Sequence, residues 1–302
     1  MRAVGAALTL GLLLAVGGSL AGRAEAQRPA DAKVFLEELT STEVRDAIRA
    51  GTAIALVPTG GTEQNGPHMA LGKHNAVMRW AAAEIARRLG HALVAPVLAY
   101  VPEGAIDPPT GHMRYPGTLT LPAAEFQRVV EYAARSLRAA GFREVVLLGD
   151  SGDNQAPLRA AAARLAREWA GTGARAHFAS DYYTAGADPA GPFASWLRAQ
   201  GERPPAIGTH AGLADTSMLL AVDPRLVRAD RLATAGAEPG VTGDPARASA
   251  EYGRRGLELR VEAAVAQIRR LIASAAGPGG GANAPGTPRG HEPRRETQPR
   301  GR

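Results

Sequence analysis

The chain has 302 residues, no cysteine and a formal net charge of +6. The absence of cysteine excludes disulfide bonds, thiolate metal ligands and a cysteine nucleophile. The positive charge lies mainly at the ends: residues 1–26 carry +1, residues 277–302 carry +3, and the stretch between them carries only +2, with no basic stripe that includes aromatic residues. This distribution argues against a nucleic-acid partner.

The N-terminal segment has the pattern of a secretory signal peptide. It reads "MRAVGAALTLGLLLAVGGSLAGRAEAQ", in which Arg2 precedes an apolar run and residues 24–26 form a small-x-small cleavage site. A membrane anchor is the alternative, but the apolar run is short for a membrane span and no second one follows. We therefore expect residues 1–26 to be removed, leaving Gln27 as the first residue of an exported protein, periplasmic or secreted, with no membrane span.

The C-terminal segment 277–302 reads "GPGGGANAPGTPRGHEPRRETQPRGR". It lacks the apolar residues that could compensate the entropy lost on ordering, so we predict a disordered tail. Residues 27–276 remain, a length that suits one large α/β domain.

Helical and strand patterns alternate through this central region. A capping box formed by Thr40 and Glu43 opens a helix that runs to Ala50. The further predictions, in chain order, are a strand at 52–58, a helix at 75–89, a strand at 92–101, a helix from 121 to 141, a strand at 144–149, a helix at 156–170 and a strand at 174–180. The alternation predicts a three-layer α/β/α fold whose mostly parallel central sheet is covered on both faces.

Two polar clusters follow predicted strands. In open parallel sheets the chemistry lies just beyond the carboxyl ends of the strands. The segment "GGTEQNGPHMALGKHN" follows the first strand, and "GDSGDNQ" follows the third. Their side chains are therefore the first candidates for functional residues.

The second cluster contains Ser151, which is either a nucleophile or a substituted ligand in a metal-binding turn. Gly-Asp-Ser-Gly resembles the nucleophile segment of trypsin-like proteases, but those are all-β proteins. It also resembles GDSL-type esterases, but no aspartate lies three residues before any histidine in this chain. The Gly-x-Ser-x-Gly pattern fails because Asp153 takes its last position. A serine without a base is a weak nucleophile, so a serine hydrolase that uses Ser151 is the less favoured alternative.

The first cluster combines a carboxylate with imidazoles. Glu63, His68 and His74 lie in a glycine-rich segment after the first strand. This combination suits Zn or Mn, although a hydrogen-bonded turn would have the same composition.

Four segments, in order along the chain, resemble the creatininase family of metal-dependent amidohydrolases. They are "LVPTGGTEQNGPHMALGKHN", "YPGTLTL", "LLGDSGDN" and "HAGLADTSMLLAVDPRLV", which together span most of residues 57–227. The first resembles the family pattern Pro-x-Gly-Ser-x-Glu-Gln-His-Gly-Pro-His-Leu-Pro-x-x-x-Asp, and the last resembles His-Ala-Gly-x-x-Glu-Thr-Ser. The resemblance implies a creatininase-like fold, a homo-oligomer such as a hexamer, and a small cyclic or linear amide as substrate.

The resemblance also implies metal ligands, several of which differ here. Family members hold two divalent metals bridged by an aspartate. The first glutamate ligand corresponds to Glu63, the next histidine to Asn65, and the bridging aspartate to His74. A neutral imidazole has one free lone pair, so His74 cannot bridge as a carboxylate does.

The loop that follows the third strand differs from the family in the same way. The family's loop histidine corresponds to Ser151 and its acidic ligand to Asp153. We expect a single Zn or Mn ion, or none, held by Glu63, His74 and Asp153 with help from Asn65 or Asp150.

The resemblance further implies residues that take part in catalysis. His210 matches an active-site histidine suited to proton transfer, and Asp215 stands where the family has a later glutamate. His112 lies on a loop rich in proline and glycine, where it either faces the site or is only a turn histidine. His68 matches the second histidine of the first signature, in either a structural or a direct role.

Two hypotheses of different classes follow. The first is an exported, metal-dependent amidohydrolase, a hydrolase of C–N bonds other than peptide bonds, which the retained Glu63, Asp153 and His210 favour. The second is a pseudoenzyme or small-molecule binding protein of the same fold. The substituted ligands at Asn65, His74 and Ser151 favour the second.

Overall fold

A computed structural model describes residues 33–275, so the predicted signal peptide and the predicted tail lie outside the described residues. The strands are β1 (Ile54–Thr59), β2 (Ala92–Val94), β3 (Glu144–Gly149) and β4 (Arg175–Phe178). The helices are α1 (Ser41–Arg49), α2 (Lys73–Leu89), α3 (Ala123–Ala140), α4 (Gln155–Glu168), α5 (Asp181–Ala187), α6 (Pro192–Ala199), α7 (Pro204–Ile207), α8 (Leu213–Val222), α9 (Leu232–Ala235) and α10 (Ala250–Ala275).

The four strands form one parallel sheet in the order β2-β1-β3-β4. Ile54 in β1 lies opposite Ala92 in β2 and Glu144 in β3. The two central strands therefore end side by side, with Thr59 opposite Gly149. This register places the loops after β1 and β3 next to each other, as the sequence predicts.

The two faces of the sheet belong to different hydrophobic clusters because successive side chains of a strand point to opposite faces. Leu56, Val146 and Leu148 pack with α2, α5 and α10, whereas Ala55, Val57, Val145 and Leu147 pack with α1, α3 and α4. The predicted three-layer α/β/α architecture is confirmed. No helix within residues 33–275 combines the length and the apolar character that a membrane crossing requires.

The predicted elements up to β4 are present with shifted ends. The capping box is confirmed, since Thr40 N–H donates to Glu43 Oε2 at 2.6 Å and Glu43 N–H donates to Thr40 Oγ1 at 3.3 Å. The second strand was predicted at 92–101 but ends at Val94, because Pro96 has no N–H for the ladder. The chain then rejoins β1 only at Leu98, whose N–H donates to Pro58 O.

Between β4 and Ala275 the described chain forms six α-helices that were not predicted from the sequence. Helix α8 is apolar on nearly all sides, so it lacks the one-sided pattern of a surface helix. The long helix α10 packs against α8, α5 and α2 and carries Arg260 into the core. Arg260 Nη1 lies 2.6 Å from Asp150 Oδ1, immediately after β3, and both side chains are buried.

We predict that Arg260→Met destabilises the protein by about 3–5 kcal/mol, because it leaves the Asp150 carboxylate buried without its partner. Arg270→Met is the matched control on the same helix, since Arg270 pairs with Asp181 in an exposed position. That change should cost less than about 1 kcal/mol. Urea unfolding of both variants measures the difference, and equal small losses would contradict the prediction.

Candidate active site

A cavity of 220 Å³ opens at the carboxyl ends of β1 and β3. The loop after β1, the start of α2, the loop between β2 and α3, and the loop after β3 contribute to it, together with α5, α8 and α10. Its charged and polar lining residues are Glu63, Lys73, His74, Glu103, His112, Asp150, Ser151, Asp153, Tyr183, Thr209, His210, Asp215 and Arg260. The predicted residues Glu63 and Asp153 thus line one cavity.

The loops after β1 and β3 are held together by buried polar contacts. Asn154 Nδ2 donates to Thr59 Oγ1 at 2.9 Å and to Gly60 O at 2.8 Å, which ties the two loops at their roots. A Cβ at Gly60 would lie 2.2 Å from Asn75 Oδ1, so only glycine allows α2 to begin this close to β1. The first two residues of α2, Lys73 and His74, are consequently buried in the site.

His74 lies between two carboxylates. Its Nε2 is 2.7 Å from Glu63 Oε1 and its Nδ1 is 2.6 Å from Asp150 Oδ2. Ionised carboxylates only accept hydrogen bonds, so both ring nitrogens must donate and the ring is an imidazolium. Burial and the nearby Lys73 lower the pKa of His74, but Glu63 and Asp150 outweigh them and the pKa is raised.

Lys73 is a second buried cation at the same carboxylate. Its Nζ lies 3.0 Å from Asp215 Oδ2 and 3.4 Å from Glu63 Oε1, and the residue is 2% exposed. Burial lowers the pKa of Lys73, but Asp215 and Glu63 raise it by more, so the amine stays charged.

Asp150 completes a balanced cluster. Beside His74 it receives hydrogen bonds from Arg260 Nη1 at 2.6 Å and from the Tyr182 hydroxyl at 2.8 Å. Burial raises the pKa of Asp150, but Arg260 and His74 hold it well below its usual range. Three carboxylates, from Glu63, Asp150 and Asp215, are thus balanced by three side-chain cations, from Lys73, His74 and Arg260.

Glu103 is a functional candidate that the sequence analysis missed. It is 1% exposed and bonds to Glu63, and burial, then the Glu63 charge, raise the pKa of Glu103 to about 10. Burial also raises the pKa of Glu63, but His74 and Lys73 bring it below its usual range. Glu103 therefore keeps a proton at neutral pH while Glu63 is ionised. Its only sequence signal is one of the two acids in the loop "YVPEGAIDPP".

Gln64 fixes the orientation of two histidines. Its Oε1 accepts from Gly66 N–H at 3.0 Å, so its Nε2 points to Gly240 O at 2.9 Å and to His112 Nδ1 at 3.0 Å. His210 Nε2 lies 2.9 Å from Gln64 O and 3.1 Å from Gln64 Nε2, and in the tautomer with its proton on Nε2 the ring donates to the carbonyl oxygen. His210 Nδ1 is then a free lone pair, 3.7 Å from Glu63 Oε1. Burial, then the Lys73 charge, lower the pKa of His210 to about 4, which keeps this nitrogen unprotonated.

Glu63, His112 and His210 form a group that could hold a metal ion, since one ligand atom from each lies within 4.8 Å of the others. One carboxylate with two imidazoles is a donor set found in catalytic zinc sites. The Glu63 carboxylate and His210 Nδ1 are two acceptors that face each other, which suits a cation between them. His112 Nε2, 3.2 Å from Glu63 Oε2, can join as a ligand if its proton moves to Nδ1 and the Gln64 amide nitrogen, 3.0 Å from Nδ1, turns away. The residues fit one divalent ion.

The predicted metal ligands occupy several environments. Asp150, Ser151 and Asp153 line the cavity, but His74 has both nitrogens engaged. Asn65 does not line the cavity, because its amide nitrogen donates to the backbone oxygens of Glu63 and Ala70. The set Glu63, His74 and Asp153 stays a prediction, whereas the geometry groups Glu63 with His112 and His210.

Of the remaining predicted residues, Asp215 belongs to the site and His68 has a structural role. Asp215 accepts from Ala211 N–H at 2.9 Å and faces Lys73. Ala211 has a φ of 56°, a left-handed conformation that is costly for a residue with a Cβ. His68 is fully buried with Nε2 at 3.0 Å from Thr216 Oγ1, a structural contact.

Ser151 lies at the start of a 3₁₀ turn that follows β3. Among residues 33–275 no hydrogen bond joins its hydroxyl to a histidine or a carboxylate; the contact at this residue is from Gln155 Nε2 to its carbonyl oxygen at 2.8 Å. This environment gives a serine nucleophile no activating base.

A second, more apolar pocket of 260 Å³ adjoins the first. The second pocket is walled mainly by residues such as Ala194, Pro205 and Ile207, and the two pockets share Gly186, Ala187, Thr209, His210 and Asp215. A ligand can therefore place a polar group at Glu63 and an apolar group beyond His210.

The chain is similar in sequence to known proteins of one family. The family model described as creatinine amidohydrolase (Creatininase) matches residues 37–268. The mycofactocin precursor peptide peptidase of Mycobacterium ulcerans (strain Agy99) is 29% identical over 247 residues, which cover 71% of this chain and 84% of that protein. The creatinine amidohydrolase of Pseudomonas putida is 30% identical over 201 residues, which cover 66% of this chain and 75% of that protein.

Solved structures give the same result. A crystal structure of creatinine amidohydrolase matches with a TM-score of 0.65 at 27% identity and covers 79% of this chain and 98% of that one. Further creatininase structures of 27% identity are described as "Creatininase Mn" and as a mutant of "Zn-Zn type". Because the family model covers nearly all of the described residues, the chain belongs to the creatininase family.

Proposed function

We propose that this protein is an amidohydrolase that uses one divalent ion, Zn or Mn, to hydrolyse a C–N bond of a small amide. The observation that carries the proposal is the convergence of Glu63, His112 and His210 in the cavity at the carboxyl ends of β1 and β3. An ion held there would supply Lewis acidity, which activates water and polarises an amide carbonyl near neutral pH.

The side chains around this group suit the two proton transfers of amide hydrolysis. Asp153 lines the cavity without an ion-pair partner among residues 33–275, so its carboxylate is available to accept a proton from water. Glu103 lines the same cavity and is protonated, because burial and then the Glu63 charge raise its pKa to about 10. A group that holds its proton at neutral pH is suited to protonate the leaving nitrogen.

The shape of the site supports a substrate with a small polar amide and an apolar substituent. The polar cavity has room for a few non-hydrogen atoms around Glu63, and the adjoining apolar pocket extends past His210. The relatives' names cover both a small cyclic amide and a precursor peptide, so a lactam or a short peptide end is compatible with the family.

A second candidate is a metal-free binding protein of the same fold. The balanced cluster favours it, because Lys73, His74 and Arg260 already neutralise the carboxylates of Glu63, Asp150 and Asp215. A divalent ion at Glu63 then competes with Lys73 and His74 for the same carboxylate. Metal analysis of the purified protein separates the two candidates.

We also propose that the protein is exported after cleavage before Gln27, on the pattern of residues 1–26. Expression of the full chain in a bacterial host, followed by mass spectrometry of the periplasmic and medium fractions, should give a mature chain that begins at Gln27. A chain that retains Met1 and stays inside the cell would contradict this proposal.

We predict that His210 in the metal-free protein titrates near pH 4 and is neutral from about pH 5 to 8, with its proton on Nε2. Burial disfavours the charged ring, and the Lys73 charge adds to this effect. Protonation would occur only as the pH falls through the lowered pKa, so Nδ1 stays available as a ligand at neutral pH. Nitrogen-15 NMR of labelled histidine measures the tautomer and the titration. A His210 pKa above the ordinary 6.5 would exclude this environment.

We predict that Glu63→Gln weakens Zn or Mn binding by about 100-fold or more, since changes to residues that merely support ligands already cost about 10–100-fold. Hydrolysis of a panel of lactams, small amides and short peptides should be lost with the metal. Calorimetric metal titration and product analysis measure both effects. His91→Gln is the control, because His91 is an exposed histidine at the opposite, amino end of β2.

Asp153→Asn separates binding from chemistry. It should leave the affinity for metal nearly unchanged and lower kcat by about 10²–10⁴-fold if Asp153 accepts the proton. Activity that survives Glu63→Gln but is lost in Ser151→Ala would overturn the proposed function in favour of a serine mechanism. A parent protein that binds no metal and hydrolyses nothing would favour the binding protein.

A further inference from the structure

The identity of the buried cation at Lys73 is unusual for this chain. Of the 35 basic residues, Lys33 and Lys73 are the only lysines and the rest are arginines. A lysine ammonium is a compact point charge, whereas a guanidinium is a wide planar fork, so the two are not interchangeable at a crowded site. In a sequence that uses arginine almost everywhere, the lysine lies where a small cation must fit between Glu63 and Asp215.

The stability of α2 does not explain why its first two residues are cations. Lys73 and His74 are the first residues of α2, and the first turn contains no acidic residue. Positive charge at a helix N-terminus is disfavoured by the helix dipole. Their positions are instead favoured by carboxylates from three other parts of the chain, Glu63, Asp150 and Asp215.

The two oxygens of Glu63 have different neighbours. Oε1 lies 2.7 Å from His74 Nε2 and 3.4 Å from Lys73 Nζ, and it is also the oxygen 3.7 Å from His210 Nδ1. Oε2 lies 3.2 Å from His112 Nε2. Glu63 therefore borders two sites: one is already filled by side-chain cations at Oε1, and the other is formed with the two histidines, which approach both of its oxygens.

We propose that Lys73 and His74 are built-in cations that take the place of a second metal ion, so that the chain holds no more than one divalent ion. A relative of the same fold is described as "Zn-Zn type". Here the carboxylate oxygens beside Glu63 that could receive a second ion, Glu63 Oε1, Asp150 Oδ2 and Asp215 Oδ2, each already accept from Lys73 or His74. A second divalent ion would add two charges to a buried cluster that is already neutral.

The histidine site rests on the proposed function, whereas the filled site rests on the contacts of Lys73 and His74 alone. The two can therefore fail separately. The test compares the parent with the double variant Lys73→Met, His74→Asp, which removes both cations and adds a carboxylate of the kind that Mn²⁺ prefers. Lys33→Met, a change at the other lysine of the chain, is the matched control.

Each full-length mature protein is titrated with MnCl₂ by calorimetry, and bound Mn is counted after gel filtration. We expect the double variant to bind one more ion per chain than the parent and Lys33→Met to match the parent. This gain supports the inference whether the parent binds one ion or none. If the parent binds none, the proposed function is wrong but the inference stands. A parent that binds two ions, or a folded double variant that gains none, overturns the inference.

A measurement on the parent keeps the inference testable if the double variant does not fold. Lysine labelled with ¹⁵N at Nζ gives one signal from Lys33 and one from Lys73. We expect the Lys73 ammonium to resist hydrogen exchange both before and after saturation with ZnCl₂. Exposure of the Lys73 signal on addition of zinc would show that an ion displaces it and would overturn the inference.

Discussion

The structure depends on a single electrostatic constraint: the carboxylates of Glu63 and Asp150 are buried at the end of the central sheet, beside the partly buried carboxylate of Asp215, and their charges must be neutralised there. An uncompensated buried charge costs several kcal/mol, so Glu63, Asp150 and Asp215 require cations within hydrogen-bond distance. The cations come from α2 and α10, which are far apart in sequence. The contact between Arg260 and Asp150, and those of Lys73 and His74 with Glu63, Asp150 and Asp215, therefore fix how both helices lie on the sheet.

The same constraint sets the protonation states of the site. Glu63 and Glu103 are adjacent acids with different neighbours, since Glu63 faces His74 and Lys73 whereas Glu103 faces Glu63. One is held ionised and the other is held protonated, which separates two chemically identical groups into different roles. The charge of Lys73 also reaches His210 and helps to keep its free nitrogen unprotonated. One ammonium thus influences both a carboxylate and an imidazole at the candidate metal site.

The sequence predicts the sheet because its strands have local signals. Apolar runs bounded by turn residues mark β1 and β3, and the alternation with helices fixes their parallel pairing, so Glu63 and Asp153 are correctly brought to one cavity. The helices after β4 have no comparable local signal. Helix α8 is apolar on nearly all sides and α10 buries an arginine, and both features are explained only by the elements packed against these helices. Glu103 is missed for the same reason: its raised pKa results from burial next to Glu63, which lies 40 positions earlier in the chain.

The family resemblance and the structure assign different roles to His74. The resemblance makes this residue a weakened metal ligand, since an imidazole stands where it implies a bridging aspartate. In the structure the same substitution changes the sign of the group: Asp150 lies 76 residues away and Glu63 only 11, and together they convert the imidazole into a cation. A sequence motif does not show this charge, because the charge of a histidine depends on which groups accept hydrogen bonds from its two ring nitrogens. The substitution at His74 is therefore poorly described as the loss of a ligand from an otherwise unchanged site. A site that supplies its own cations stays assembled without an ion at that position, and its carboxylates remain aligned for whatever binds on the histidine side.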